Sequence, residues 1–347
     1  MRELPPAGLD VAIEVGWIAS APASNEERAE ALLESLRRVV PFQAARIALL
    51  DPKRREPVSL VVEGYDDRAR TYFDSPAVVE ELELLGLFRE RRPVLIRDLP
   101  VPPAEVRGWV EFLEPVGFRE GLAVGLFTPD GRFVGLLGMN TDSAAHPTDA
   151  ARDLIGLLAP GIAHAVDPLN PITAAARLVQ DATAGIVLTR AGDALPLPGL
   201  PAHPLLTAGS TVLTVATGLL AGGAVHAGFL CPYARWDTSD DHGYFRLTVL
   251  ALPSQAPQYL EAVVVVSPPG DISALTPREL QILGLLVEGW PNPRIAGALV
   301  ITEHTVATHV EHILTKLAVP TRTAAAVRAL RQGLYVPRLL TGVQGRA

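Results

Sequence analysis

The segment 302–317 carries polar side chains whose types and spacing could do chemistry. At 100° per residue on a helix, the apolar positions starting from Val306 form one face, and a polar face lies opposite. The residues of the polar face are His304, Thr308, Glu311 and Thr315, with Ala307 at its edge. Imidazole, hydroxyl and carboxylate groups can hydrogen-bond to base edges, which a helix reaches in the major groove of duplex DNA. This face is therefore a candidate DNA-reading surface.

Residues around the polar face are candidates for contacts with the phosphate backbone. His309 and His312 lie on the flank nearer to phosphate. Lys316 ends the helix, where a cation suits both the helix dipole and a phosphate. The full predicted DNA-contacting set is Asn292, Thr302, His304, Thr305, Ala307, Thr308, His309, Glu311, Lys316 and Arg322.

Local signals indicate the helices that must position this face. Thr276, Pro277 and Glu279 have the spacing of a capping box with proline at the first helical position, which predicts a helix over Pro277–Val287. Gly289 ends that helix. Asn292 is expected to cap a second helix with Pro293 at its first position, and Thr302 to cap the third.

The third helix has an apolar face for packing, and a fourth helix follows Pro320. We expect the core of the third helix to consist of Val306, Val310, Ile313 and Leu317. Short helices separated by tight breaks at the end of a chain predict a helix-turn-helix unit.

The landmarks of this region resemble those of the LuxR-type helix-turn-helix. The motif positions are Thr276-x-Arg278-Glu279, Gly289-x-x-Asn292-x-x-Ile295-Ala296, Thr305-Val306-x-x-His309, Ile313-Leu314-x-Lys316-Leu317 and Thr321-Arg322-Thr323. The resemblance implies DNA binding as a homodimer that pairs through the last helix, here about 323–332. The implied dimerisation residues are Ala324, Val327, Arg328 and Arg331.

Two positions depart from the family pattern. Ala307 stands where the family often has lysine, and Glu311 stands near a position where a basic residue is common. Losing a cation and gaining an anion weakens attraction to phosphate, although glutamate can accept from a cytosine amino group. We expect DNA binding that is specific but not strong, or that depends on an activated dimer.

The charge distribution separates the tail from the rest of the chain. The 347 residues carry a net charge of −8, yet segment 271–347 has eight basic and five acidic residues, a net +3 that leaves −11 for the remainder. An acidic body on a mildly basic tail is expected if the tail alone meets phosphate. The single cysteine, Cys231, excludes an intramolecular disulfide and is typical of a reducing compartment. With no apolar run after a basic start at the N-terminus, we expect a cytoplasmic protein.

The first half of the chain reads as an α+β domain with an antiparallel sheet. A helix over 26–39, short β-runs, a hairpin at Thr128-Pro129-Asp130-Gly131 and a helix over 149–166 occur in that order. This order resembles a GAF domain over 24–167. The resemblance implies small-molecule binding, haem binding or dimerisation, and no residue selects among them.

The middle of the chain has the same class of pattern. Strands at 184–190, 245–252 and 259–267 with a helix at 212–221 resemble, in element order, a PAS domain. The stretch 211–230 contains no acidic residue, lysine or arginine, and it approaches the length of a membrane span. Its glycines and the absence of lysine or arginine at either edge instead favour a buried helix followed by a strand. Breaks at 167–171 and 268–271 are expected to be linkers.

The predicted fold class is α+β sensor domains, each an antiparallel sheet with flanking helices, followed by an all-α four-helix helix-turn-helix domain. The predicted domains are a segment 1–23, a GAF-like domain 24–167, a PAS-like domain 172–267, a linker 268–271 and a helix-turn-helix domain 272–340.

Three classes of function follow from this organisation. The first is a homodimeric transcriptional regulator that binds a two-fold operator, whose body senses a small-molecule or redox signal or holds the dimer; RNA polymerase and a small effector are further candidate partners. The second is a ligand- or partner-binding protein in which the C-terminal helices serve mainly dimerisation. The third, an enzyme, lacks a catalytic constellation, and we expect no cofactor, metal or membrane partner.

Overall fold

A computed structural model describes residues 5–51, 56–234, 242–252 and 259–341. The chain divides into two compact units, Met1–Pro168 and Leu169–Ala347. Within the described residues, no helix combines the length and the apolar character needed to cross a bilayer.

The first unit is a five-stranded antiparallel sheet with helices on both faces. Its helices are α1 (Gly8–Ser20), α2 (Asn25–Leu36), α3 (Asp67–Phe73), α4 (Ala77–Leu84) and α5 (Asp149–Val166). Its strands are β1 (Ala44–Leu50), β2 (Pro57–Glu63), β3 (Val94–Leu95), β4 (Glu120–Phe127) and β5 (Phe133–Thr141). The strands lie in the order β2-β1-β5-β4-β3.

The two faces of this sheet bury separate apolar clusters. Alternate residues of β1 point to opposite faces, so Ile47 joins the cluster under α1, α2 and α5, and Ala48 joins the cluster under α3 and α4. A capping box between Ser24 and Glu27 fixes the start of α2. The segment 1–23, left outside the domain by sequence, supplies α1, which buries Val11 and Val15 in the first cluster.

The second unit begins with another five-stranded antiparallel sheet. Its elements are α6 (Leu169–Arg177), β6 (Ala184–Thr189), β7 (Ala194–Pro196), α7 (Thr211–Ala221), β8 (His226–Ala234), β9 (His242–Ala251) and β10 (Leu260–Ser267). The order β7-β6-β10-β9-β8 repeats that of the first sheet, position by position. The fold class predicted for both sheets is confirmed, and their common strand order is not visible in their sequences.

The linker predicted over 167–171 is wrong in its second part. Helix α6 already begins at Leu169, and it buries Leu169, Ile172 and Ala176 against the sheet. Proline at position 171 lies in the first turn, where a missing N–H costs no helical hydrogen bond. Stretch 211–230 forms α7 and part of β8, as expected.

Four helices complete the second unit. They are α8 (Pro277–Val287), α9 (Asn292–Leu299), α10 (Glu303–Lys316) and α11 (Arg322–Gln332). Their buried residues belong to one apolar cluster that also contains Phe229 of β8 and Leu247 of β9. The four-helix domain therefore shares a core with the sheet that precedes it.

Candidate nucleic-acid interface

Helix α8 is the scaffold of the four-helix domain. The Thr276 hydroxyl accepts from the Glu279 amide, and the Glu279 carboxylate accepts from the Thr276 amide over 2.7 Å, so the predicted capping box is present. The helix ends before Gly289, whose φ of 76° lies in the left-handed region that glycine adopts readily. The bounds Pro277–Val287 match the sequence prediction.

Helix α9 starts differently from the prediction. Pro291 is the N-cap residue, without a side-chain cap, and Asn292 is the first helical residue. The Asn292 amide oxygen accepts from Arg322 over 3.2 Å, so it connects α9 to α11 instead of capping. The helix ends at Leu299, and the C-cap residue Val300, with φ 54° and ψ 51° in the left-handed region, makes the tight turn into α10.

Helix α10 carries the predicted reading face. Thr302 is its N-cap and accepts from the Thr305 amide over 3.1 Å, as expected. Val306 and Ile313 are fully buried, whereas Val310 packs against the core but is only partly buried. The expectation that Val310 is a core residue is corrected accordingly, because its position is at the border of the buried stripe.

The face opposite the core is open to solvent along much of its length. His304, Glu311 and Thr315 are exposed, and Ala307 and Thr308 are half-buried. The Thr308 hydroxyl donates to the His304 carbonyl over 3.1 Å, which leaves its oxygen available as an acceptor. The arrangement thus presents imidazole, hydroxyl and carboxylate groups on one accessible helix face.

The flank of α10 is organised around the carboxylate of Glu279. This side chain is buried, and one of its oxygens accepts from the Lys316 ammonium over 2.7 Å. Its other oxygen lies 3.9 Å from Nδ1 of His312. Nearby His309 completes a group whose ligand atoms all lie within 4.8 Å of one another. Lys316 supplies the cation that faces this carboxylate, so its charge holds α10 against α8.

Trp290, in the turn before α9, is contacted by Arg294, Arg322 and Arg338. The Arg294 guanidinium stacks 3.9 Å from the Trp290 ring centroid, and Arg322 donates to the Trp290 carbonyl. Arg294 is exposed and does not belong to the DNA-contacting set predicted from sequence. Arg294 therefore joins the candidate phosphate contacts.

Helix α11 buries one face and exposes another. Ala325 and Ala329 are fully buried, while the apolar side chains of Val327 and Leu330 are 43% and 45% exposed. Among the implied dimerisation residues, Val327 and Arg331 are exposed and Ala324 is half-buried. Arg328 is half-buried and donates to the Leu317 carbonyl over 2.6 Å, which ties α11 to the end of α10.

The chain after α11 is attached to the edge strand β8. The Leu230 amide donates to the Tyr335 carbonyl over 2.8 Å, so residue 335 continues the hydrogen bonding of the sheet. Arg246 of β9 donates to the carbonyls of Gln332 and Pro269. These bonds hold both ends of the four-helix domain, including the predicted linker, on the sheet.

Cys231 lies in this shared core. It is 4% exposed, and burial raises the pKa of its thiol to about 11. A protonated, buried thiol is a poor nucleophile and a poor metal ligand. The side chain therefore has the properties of an apolar core residue.

Comparisons with known proteins agree with this geometry. A family model for bacterial regulatory proteins of the luxR family matches residues 273–329, and a GAF domain model matches residues 23–167. The nitrate/nitrite response regulator protein NarL of Escherichia coli (strain K12) is 51% identical over 65 residues, 19% of this chain and 30% of that protein. The transcriptional regulatory protein LnrK of Bacillus subtilis (strain 168) is 42% identical over 77 residues, 22% of this chain and 35% of that protein.

The chain spans about a third of the length of these curated relatives. Among solved structures, the GAF domain from a phosphoenolpyruvate-protein phosphotransferase of Coxiella burnetii aligns with a TM-score of 0.37 at 15% identity, over 49% of this chain and 98% of that one. The sequence matches thus identify a GAF domain in the first unit and, at the end of the second, a helix-turn-helix domain of the luxR type.

Proposed function

We propose that this protein is a sequence-specific, DNA-binding transcriptional regulator. The observation that carries the proposal is the accessible polar face of α10, held by a capped helix-turn-helix whose sequence matches the luxR family model. His304, Thr308 and Glu311 are the base-reading candidates on that face. Asn292, Thr302, Thr305, Ala307, His309, Lys316 and Arg322 complete the proposed DNA-contacting set, with Arg294 added from its exposed position.

The regulator is proposed to act as a homodimer on a two-fold operator. Val327 and Leu330 of α11 are exposed apolar residues three positions apart, and so they form one stripe. In the first unit, Leu9, Ile13 and Trp17 of α1 form a second stripe at four-residue spacing, and they are 64%, 45% and 72% exposed. A second copy of the chain would cover both stripes, with Ala324, Arg328 and Arg331 at the border of the first.

The GAF domain and the PAS-like α+β region are proposed to form a sensory body in the cytoplasm. A ligand that prefers one arrangement of the body would shift the population in which two four-helix domains are spaced for an operator. RNA polymerase is a further candidate partner once the dimer is on DNA. No step of this scheme requires catalysis by the protein.

A second candidate function is a ligand- or partner-binding protein whose C-terminal helices serve mainly dimerisation. One observation favours it: Lys316 is paired with Glu279, and Ala307 and Glu311 bring no cation to the face of α10. Affinity for phosphate from this face would then be small, because each cationic contact contributes to the salt-dependent part of binding.

The test is genomic DNA capture by the full-length protein at two salt concentrations. The regulator hypothesis expects an enriched palindromic site whose occupancy falls as salt rises. Glu311→Gln is expected to change the base preference within each half-site, while Glu80→Gln on α4, which removes the same charge from an exposed position, should leave it unaltered. Absence of any enriched site would reject the proposal and favour the second function.

A further inference from the structure

A cavity of about 100 Å³ lies in the first unit between the sheet and α4 with the turns that follow it. Its walls are largely apolar and include Leu82, Trp109 and Leu113. Gly121 and Gly138 of the sheet also line it. The cavity is therefore bounded by residues that favour an apolar occupant.

Arg46, which lines this cavity, is a buried charged residue with incomplete hydrogen bonding. Arg46 in the centre of β1 is 3% exposed, and its cross-strand neighbour on β5 is Gly138. Among the residues that the structure describes, the Nε and Nη2 atoms of Arg46 find no hydrogen-bond partner. An arginine is always protonated in proteins, so Arg46 is a buried cation beside the cavity, with two donors that lack an acceptor.

The neighbouring polar groups do not satisfy Arg46. Its Nη2 lies 3.9 Å from the Asp74 carboxylate, which is 46% exposed and already accepts from the Ser59 hydroxyl over 2.6 Å. The Phe73 ring centroid lies 5.0 Å from the guanidinium carbon, a contact that partly offsets desolvation. Burial lowers the pKa of Arg46, with Asp74 opposing that effect.

The other polar residues that line the cavity have hydrogen-bond partners. The Tyr65 hydroxyl donates to the Asn140 amide oxygen over 2.6 Å. One oxygen of Glu81 accepts from the Gly108 amide over 2.7 Å and from the Tyr72 hydroxyl over 2.9 Å. A buried charge whose donors lack acceptors is unfavourable in a protein interior, so a ligand that supplied the missing acceptors would be stabilised there.

We propose that this cavity is the binding site for a small carboxylate with an apolar body. The free Nε and Nη2 atoms share one edge of the guanidinium, and that edge matches the two oxygens of a carboxylate. Leu82, Trp109 and Leu113 would contact the apolar part. A dry cavity of roughly 150 Å³ accepts benzene, so a ligand of about five to seven non-hydrogen atoms is the expected size.

The ligand would act at the end of α3. Phe73 ends this helix and Asp74 follows it, and both contact Arg46. A bound carboxylate would replace Asp74 as the counter-ion of Arg46 and alter the contacts of α3 with the sheet. That this ligand would control transcription rests on the proposed function, whereas its binding in the cavity does not.

The experiment is calorimetric titration of the full-length protein, without DNA, using sodium isovalerate, isovaleramide and inorganic phosphate as probes. We expect isovalerate to bind and the neutral amide to bind at least tenfold more weakly, because it lacks the charge that pairs with Arg46. Inorganic phosphate is expected to bind at least tenfold more weakly than isovalerate, because it has no apolar body.

Variants of the two charged residues test the assignment. Arg46→Met is expected to weaken isovalerate binding at least tenfold, and Arg46→Lys to give an intermediate affinity. Asp74→Asn is expected to strengthen binding severalfold, because it removes the competing carboxylate, and this variant keeps Arg46 in place should Arg46→Met fail to fold. Absence of isovalerate binding at 10 mM-scale concentration, roughly the weakest affinity such contacts would give, would overturn the proposal. So would equal binding of isovalerate and its amide, phosphate binding as tight as isovalerate, or unchanged affinity in folded Arg46→Met. None of these measurements uses DNA, so a failure of the DNA-capture experiment would not affect the test of the binding site.

Discussion

The ammonium group of Lys316, at the end of α10, lies 2.7 Å from the buried carboxylate of Glu279 in the first turn of α8. The same carboxylate completes the capping box with Thr276. One side chain therefore both starts the first helix of the domain and holds the last turn of the proposed reading helix. The orientation of the polar face of α10 depends on this pair.

Lys316→Met is expected to destabilise the protein by about 1–3 kcal/mol, because it leaves a buried carboxylate with the Thr276 amide but without its cation. Urea unfolding measures the change. The double variant Glu279→Gln/Lys316→Met should lose less than the sum of the single variants, since the two residues interact directly. Additive losses would show that the pair does not couple α8 to α10.

The pH dependence of stability should report the same pair. Burial raises the pKa of Glu279, but hydrogen bonds from Lys316 and Thr276 outweigh it and lower the pKa below the ordinary 4.5. A lowered folded-state pKa means that the carboxylate stabilises the fold above about pH 4.5, and that this contribution is lost as the pH falls through the lower folded value. The stability difference between wild type and Glu279→Gln should therefore shrink on acidification below pH 4.5. A difference that is constant from pH 3 to pH 7, roughly the range in which carboxyl groups titrate, would contradict this account.

Val300→Asn is expected to stabilise the protein by about 1 kcal/mol, because a β-branched residue is strained in the left-handed region whereas asparagine tolerates it. Val300 has a φ of 54° and is 90% exposed, so little packing is lost. The matched control is Val225→Asn, at a residue that is 74% exposed and has no positive φ. Equal effects of the two substitutions in urea unfolding would argue against backbone strain at Val300.

Gly333→Ala is expected to loosen the four-helix domain from the edge of the second sheet. A Cβ at Gly333 would lie 2.9 Å from the Gly228 carbonyl carbon, and the residue has a φ of 62°. Gly289→Ala is the control, because φ is 76° there and nothing lies within 4 Å of the added carbon. Both variants should incur about 1 kcal/mol of backbone strain.

Hydrogen exchange can separate the two effects. Exchange of the Leu230 amide, which donates to Tyr335, should accelerate in Gly333→Ala well beyond any change in Gly289→Ala. Unaltered protection at Leu230 would mean that the close approach of the two glycines is not needed for docking.

Val327→Glu with Leu330→Glu is expected to shift the protein toward a monomer and to weaken operator binding at least tenfold. The two side chains are exposed on α11, so the substitution should leave the fold intact while placing charges in the proposed homodimer contact. Sedimentation velocity measures the oligomeric state. Leu178→Glu, at an apolar residue that follows α6 and is 86% exposed, is the control, because it lies outside α11. A double variant that remains dimeric would move the proposed contact to α1.

The sequence by itself determined the features that depend on neighbours within a few residues. The capping box at Thr276 and Glu279 and the glycine at position 289 specify α8 to the residue, because caps act within one turn. Helix Asp149–Val166 likewise matches the helix predicted over 149–166 from its pattern of apolar residues. The fold class and the polar face of α10 follow from such local signals.

The tertiary structure alone decided which distant residues meet. Asn292 was expected to cap α9 and instead accepts from Arg322. Lys316 remains a candidate phosphate contact, and its ion pair with Glu279 was not foreseen. Arg46 is recognisable in the sequence as a charged residue within the apolar run of β1. Its incomplete hydrogen bonding is visible only once Gly138 and Asp74 are placed around it. Hydrogen bonding and burial depend on separation in space, and residues far apart in the chain acquire that separation only when the sheet and helices pack.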